Sequence, residues 1–328
     1  GSPSGGTASA ETSFTSVQRM DYSNDGNSFV TMAANTSDAK NTFGTVSNAN
    51  YGYLAGGTPG TWVSPSGSFT SYINRYDFAN DTLIDLGVHL PTTTRGGAGV
   101  GNQDYGYFCC GAKAASGMSA NYLSSSIRID YSNDSAGVTA KGNNPIKLSQ
   151  TTGTSNKDYG YILGGNRLPK QNQSSDNARS QVSRIDFAND TNTLVDKGTF
   201  PTWMTGNSAS GNANFGYAVA GYQGASPIKS TIYRINYAND TASPVVKGKT
   251  ADEQAYAAGH GAQDYAKPLF SGFGLPYASW PNPNPSYQAA PSYGYSIGGN
   301  PAPSLSPSYN VPAQRIDFTN DTATALAK

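Results

Sequence analysis

Apolar and polar positions alternate in short runs along the whole chain, and the runs repeat. In "RIDF" (184–187) Ile185 and Phe187 fall on one face of an extended segment, and Arg184 and Asp186 on the other. The same eight-residue phrase returns as "RYDFANDT" from Arg75, "RIDYSNDS" from Arg128, "RIDFANDT" from Arg184, "RINYANDT" from Arg234 and "RIDFTNDT" from Arg315. It opens, with more drift, as "RMDYSNDG" from Arg19. Successive arginines are 56, 53, 56, 50 and 81 residues apart. A second phrase interleaves: "YGYLAGG" from Tyr51, "YGYFCCG" from Tyr105, "YGYILGG" from Tyr159, "FGYAVAG" from Phe215 and "YGYSIGG" from Tyr293.

One period predicts four strands. "GGAGVGNQD" (96–104) is small and glycine-rich, as a strand crowded against its neighbours must be. "YGYFCCG" (105–111) follows a tight turn, then a variable polar loop, then "SSIRIDY" (125–131). "SNDS" turns the chain into "AGVTAKG" (136–142), the outer strand. A unit near 50 residues is too long for helical-hairpin or leucine-rich arrays and suits a four-stranded propeller blade. The expectation is one all-β domain over residues 1–328, a β-propeller of about six four-stranded blades, with five to seven as the alternative. Six "RIDF" hairpins against five "YGY" strands leave the first blade without its inner pair. Three explanations compete: the chain is part of a longer repeat protein, irregular segments close the ring, or another subunit supplies strands.

Within this frame Arg19, Arg75, Asp77, Arg128, Asp130, Arg184, Asp186, Arg234, Arg315 and Asp317 read as structural, pairing with each other or with the adjacent blade. Six equivalent binding sites are the rival reading, weakened by Asn236 in place of the Asp in one copy.

The stretch "NRYDFANDTLIDLGVHLPTTTRGGAGVGNQDYGYFCCGA" (74–112) resembles a Kelch repeat: a Tyr-Asp turn, an outer strand, a Leu-Pro link, an Arg, an inner strand and a Tyr-rich strand. Gly56–Gly57, Gly164–Gly165 and Gly298–Gly299 match that family's double glycine, and Leu90–Pro91 and Phe200–Pro201 its linker. The usual outer-strand Trp is missing; Leu86, Val138, Val195 and Val245 sit near its place. The wording also resembles repeat proteins of marine bacteriophages. That resemblance implies a virion component of tail-fibre, appendage or decoration type, located on the virion or outside cells.

The long interval before Arg315 holds a Pro- and aromatic-rich insertion at about 265–292. It reads as a loop covering an edge or a channel end, or as a binding loop with Tyr277, Trp280 and Tyr287 as anchors. The connections 58–69, 112–124, 166–181 and 222–230 vary on a constant frame, the usual place for recognition in propellers.

Only 13% of residues are charged and the formal net charge is zero, so a nucleic-acid or anionic-membrane partner is not expected. No apolar run approaches the length of a membrane span. Cys109 and Cys110 are adjacent; strand neighbours face opposite ways, so they read as small buried residues rather than as a disulfide. His89 and His260 stand in different repeats and form no metal-ligand pair. Neither a hydrolase elbow nor a phosphate loop appears, and the double glycines open no helices. An enzyme, a metal and a cofactor are therefore not expected; weak Ca²⁺ binding at the "ND" turns is the minor alternative.

"NDT" and "NDS" are N-glycosylation acceptors at Asn80, Asn133, Asn189, Asn239 and Asn320, with further acceptors at Asn35 and Asn172. Turn chemistry also explains them. Two functions follow as expectations. One is a non-enzymatic structural or adhesive virion propeller, partnered by other virion proteins or a host-surface glycan. The other is a secreted cellular lectin or extracellular filament subunit.

Overall fold

Small residues set the position of each unit's first strand. In the computed structural model Gly99 lies so close to its neighbour that a Cβ there would sit 1.8 Å from the Thr45 carbonyl oxygen. Residues 16–19, 29–35, 40–41, 44–48, 50–59, 69–113, 121–167, 179–223, 226–255, 258–261, 269–272, 293–297, 300–301 and 313–328 are described. They form an all-β chain with a few 3₁₀ turns.

The second unit is an antiparallel sheet of Gly44–Ser47, Tyr51–Ala55, Tyr72–Asp77 and Thr82–His89. The third uses Ala98–Gly101, Tyr105–Cys109, Ser126–Asp130 and Val138–Ala140. The fourth uses Thr152–Ser155, Tyr159–Leu163, Arg179–Asp186 and Val195–Thr205. The fifth uses Ser208–Gly211, Phe215–Gln223, Ser226–Asn236 and Val245–Lys249. In the sixth, Ala258–Gly261 pairs with Tyr293–Ile297, which pairs with Gln314–Asp317 and then Leu326–Ala327. The first unit shows one hairpin, Ser16–Arg19 with Val30–Asn35. The four-strand reading of the repeat thus holds in five units among the described residues.

The register is the same in every sheet. The first aromatic of "YGY" pairs with the third residue of "RID": Tyr51 with Asp77, Tyr105 with Asp130, Tyr159 with Asp186, Phe215 with Asn236, Tyr293 with Asp317. Turn chemistry fixes this register. Asn102 caps the turn between the first two strands of its unit, its Oδ1 accepting from the Asp104 and Tyr105 amides. Asn48, Asn156 and Asn212 repeat the arrangement.

Consecutive sheets pack face to face, with a buried apolar cluster at each interface. Val46, Tyr53, Phe108 and Ile129 join the second and third units; Val100, Tyr107, Ile162 and Ile185 join the third and fourth. Tyr161, Leu163, Ala218 and Ile235 join the fourth and fifth; Tyr217, Ile232, Ile316 and Phe318 join the fifth and sixth. First strands of successive units lie beside one another.

Part of the insertion read at 265–292 is a strand. Leu269–Gly272 runs antiparallel to Ala258–Gly261, bridges to Ala209, and lies beside the first strands of the second through fifth units. Through it and a short pairing of Met204–Thr205 with Tyr222–Gln223, the fourth to sixth units share one hydrogen-bonded ladder. No helix among the described residues is long and apolar enough to cross a membrane.

Candidate functional site

The repeated residues meet at the unit interfaces. Strand alternation puts the second Tyr of "YGY" and the Arg of "RID" on one face, directly paired: Tyr53 with Arg75, Tyr107 with Arg128, Tyr161 with Arg184, Tyr217 with Arg234. Both donate to one carboxylate oxygen on the next unit. Tyr107 Oη and Arg128 Nη1 each lie 2.8 Å from Asp190 Oδ2. Asp134 receives Tyr53 and Arg75 at 2.8 Å. Asp240 receives Tyr161 at 3.0 Å and Arg184 at 2.8 Å; Asp321 receives Tyr217 at 3.0 Å and Arg234 at 2.7 Å.

Aromatic rings complete the contact. Tyr107 stacks on Phe187 at 5.1 Å, as Tyr53 does on Tyr131, Tyr161 on Tyr237 and Tyr217 on Phe318. The glycine inside "YGY" makes room: a Cβ on Gly216 would lie 2.7 Å from the Tyr237 hydroxyl oxygen, and one on Gly294 2.5 Å from the Phe318 ring. The first aromatic carries the guanidinium on its face, with Arg184 4.0 Å above Tyr159 and Arg315 4.4 Å above Tyr293.

A third donor, a second cation, reaches the same carboxylates in three interfaces. Lys141, Lys197 and Lys247 approach Asp190, Asp240 and Asp321 at 3.1, 3.4 and 3.5 Å. Each lysine precedes a glycine on the outer strand or just past its end. Gly142 and Gly198 donate their amides to the carbonyls of Asp190 and Asp240, and a Cβ on Gly248 would lie 2.1 Å from the Ala323 oxygen. The second unit has Leu86–Gly87 instead.

Electrostatics follows from this geometry. Burial works to raise the Asp190 carboxyl, but the Tyr107 hydroxyl and the Lys141 and Arg128 cations outweigh it and hold it below the ordinary carboxylate value. Burial, then the hydrogen bond to Asp134 or Asp190, pushes Tyr53 and Tyr107 far above the ordinary phenol value. These tyrosines are fixed donors.

The structure brings Arg75, Arg128, Arg184 and Arg234 into these contacts, and Arg19 into a more exposed pair with Asp81 at 3.0 Å. It separates them from the aspartates of their own "RID" phrases. Asp77, Asp130, Asp186 and Asp317 cap their own turns, accepting from the amides of Ala79, Ser132, Ala188 and Thr319. Asn236 accepts from Ala238 in the same way, so an amide serves there as well as a carboxylate. Sequence reading missed the interface acceptors Asp134, Asp190, Asp240 and Asp321, since turn chemistry alone accounted for each "ND". The signal available was the Lys-Gly pair at a constant offset after the arginine.

Other predicted residues fall elsewhere. Asn80, Asn133, Asn189, Asn239 and Asn320 are exposed at the hairpin tips. Tyr277, Trp280 and Tyr287 lie outside the described residues. His89 packs against Tyr72 at 5.0 Å. Cys109 and Cys110 are both buried and unpaired. Burial pushes the Cys109 thiol up to about 12, so it stays protonated and a poor nucleophile at neutral pH. No cluster of metal-ligating side chains occurs among the described residues.

No protein-family model matches the chain, and no curated protein sequence does. Among solved structures the fold is similar to that of YjhT, with a TM-score of 0.66 and 11% identity over 96% of this chain and 91% of that one. This likeness concerns the fold alone.

Proposed function

We propose that the chain is a Kelch-like β-propeller of six blades acting as a non-enzymatic structural and adhesive protein. In this reading it is a virion component (a tail fibre, appendage or decoration protein) that engages a host-surface glycan or other virion proteins. One observation carries it: in each of the second to fifth units the variable connection joins the second and third strands, so every such loop leaves its sheet at the same end. Below those loops, four repeated contacts supply a rigid frame. Variation over a constant frame is a recognition design, in which loop aromatics stack on sugar rings and amides bond their hydroxyls. The strongly placed polar groups are occupied by structure: Asp190 and its equivalents spend their charge between units. That supports a passive rather than a catalytic role.

A glycan array with the purified chain tests the reading. Selective binding that survives Asp190→Asn but is lost on exchanging the 166–181 loop is the expected result; no binding to any glycan or virion protein overturns it. A second reading, a secreted cellular lectin or filament subunit, is favoured by the exposure of all five "NDT/NDS" asparagines. Mass spectrometry of the Asn80 and Asn189 peptides from the native source separates the two, because glycans there belong to the cellular reading.

A further inference from the structure

Between the second and third units lies a pocket of about 260 Å³. Its floor is apolar and buried, with Ala55, Leu90, Ala98, Phe108 and Ile127 in the lining. Cys109 and Cys110 border it while packing in the cluster toward the fourth unit. Adjacent strand residues ordinarily face apart, but Cys110 lies just past the strand end with φ at +63°, where sister repeats have Gly56 and Gly164. A non-glycine there costs about 1 kcal/mol of backbone strain.

The mouth differs from the floor. Along the linker, Leu90 is buried, Pro91 is exposed, and Thr92, Thr94 and Arg95 are half-buried. Arg95 is the charged residue of the lining. Its backbone pairs with Ala112 at 2.9 and 2.8 Å, and its guanidinium lies 4.6 Å above the Phe69 ring. The group is therefore held rather than free to swing into solvent.

We propose that this pocket binds a small monocarboxylic acid with a compact aromatic or alicyclic body. The body fills the apolar floor and the carboxylate meets Arg95 at the mouth. The volume exceeds the ~150 Å³ of an apolar cavity that takes up benzene, so it admits a single substituted ring. Apolar cavities of this kind take up small hydrocarbons, and guanidinium matches a carboxylate. The site is independent of the virion reading.

Benzoate and benzyl alcohol are the probes, titrated into the intact chain while the Leu90 and Ile127 methyl resonances are followed. Benzoate is expected to shift both methyls and to bind at least about tenfold more tightly than benzyl alcohol. Arg95→Met brings the two probes to parity, and Ala55→Leu, which places in the second unit the residue found at Leu163 in the fourth, removes binding of both. Should Ala55→Leu fail to fold, Leu90→Phe, the residue of the fourth unit at Phe200, takes its place, with the Ile127 methyl as the reporter. No methyl shift with benzoate, equal affinity for the two probes in the unaltered protein, or undiminished binding in a folded filling variant each overturns the proposal.

Discussion

Asp190→Ala tests the unit-to-unit contact most directly. The carboxylate side chain is 8% exposed and holds three donors, Tyr107, Arg128 and Lys141, at 2.8, 2.8 and 3.1 Å. Removing it leaves two cations and a buried phenol without their acceptor. Breaking a buried pair by deleting one partner costs ~3–5 kcal/mol. The Arg128 side chain keeps 23% of its exposure, so water recovers part of the loss and the lower end, about 3 kcal/mol, applies. For 328 residues at ~2.1 cal/mol/K each, unfolding entropy is about 0.7 kcal/mol/K, and Tm falls by about 4 °C. Calorimetry on Asp190→Ala, Arg128→Met and the double variant gives the coupling, expected at about 1.5 kcal/mol or more. Lys157→Ala is the control: its pair with Asp158 is 66% and 53% exposed and is worth under ~0.5 kcal/mol. A Tm for Asp190→Ala within about 1 °C of the parent, or a coupling below ~0.5 kcal/mol, refutes the reasoning.

Further outcomes follow from the same geometry. The depressed Asp190 pKa means that its contribution is complete above the unfolded carboxylate value near ~4 and is lost as pH falls through the lower folded value; urea titrations at stepped pH should show a shallower acid loss in Asp190→Asn. Asp186→Asn should be nearly neutral because Asn236 performs the same capping, whereas Asp186→Ala should cost about 1 kcal/mol by urea denaturation. Gly164→Ala should cost several-fold more than Gly87→Ala. Both have positive φ, but a Cβ at Gly164 lies 2.5 Å from the Met204 oxygen while none of the atoms around Gly87 comes within 4 Å; about 1 kcal/mol is expected for Gly87 alone.

The strand order of each unit was legible because alternation, turn residues and repetition all point the same way at "YGYFCCG" and "SSIRIDY". Asp190 was not, since its local role in the "AND" turn already accounts for it and its partners lie far away in the chain. Tyr107 and Arg128 belong to the preceding unit, and one chain's sequence states no register between sheets. The "RID" arginines read as structural with two possible partners, the Asp of the same phrase or the adjacent unit; in the structure the neighbour's turn aspartate accepts Arg184, while Asp186 caps its own turn. Cys109 and Cys110 are buried and unpaired as their adjacency predicts, but the backbone turn at Cys110 was not legible. Strand alternation governs only up to Cys109, and one left-handed residue changes where the next side chain goes.

Tyr and Arg donate from one unit, and Asp and an aromatic ring receive on the following one, in the same order at all four fully formed contacts. The series therefore has an arrow. Copying any single period within the gene reproduces both a giving side and a taking side, so a lengthened chain inherits matching surfaces at the new junctions without further mutation.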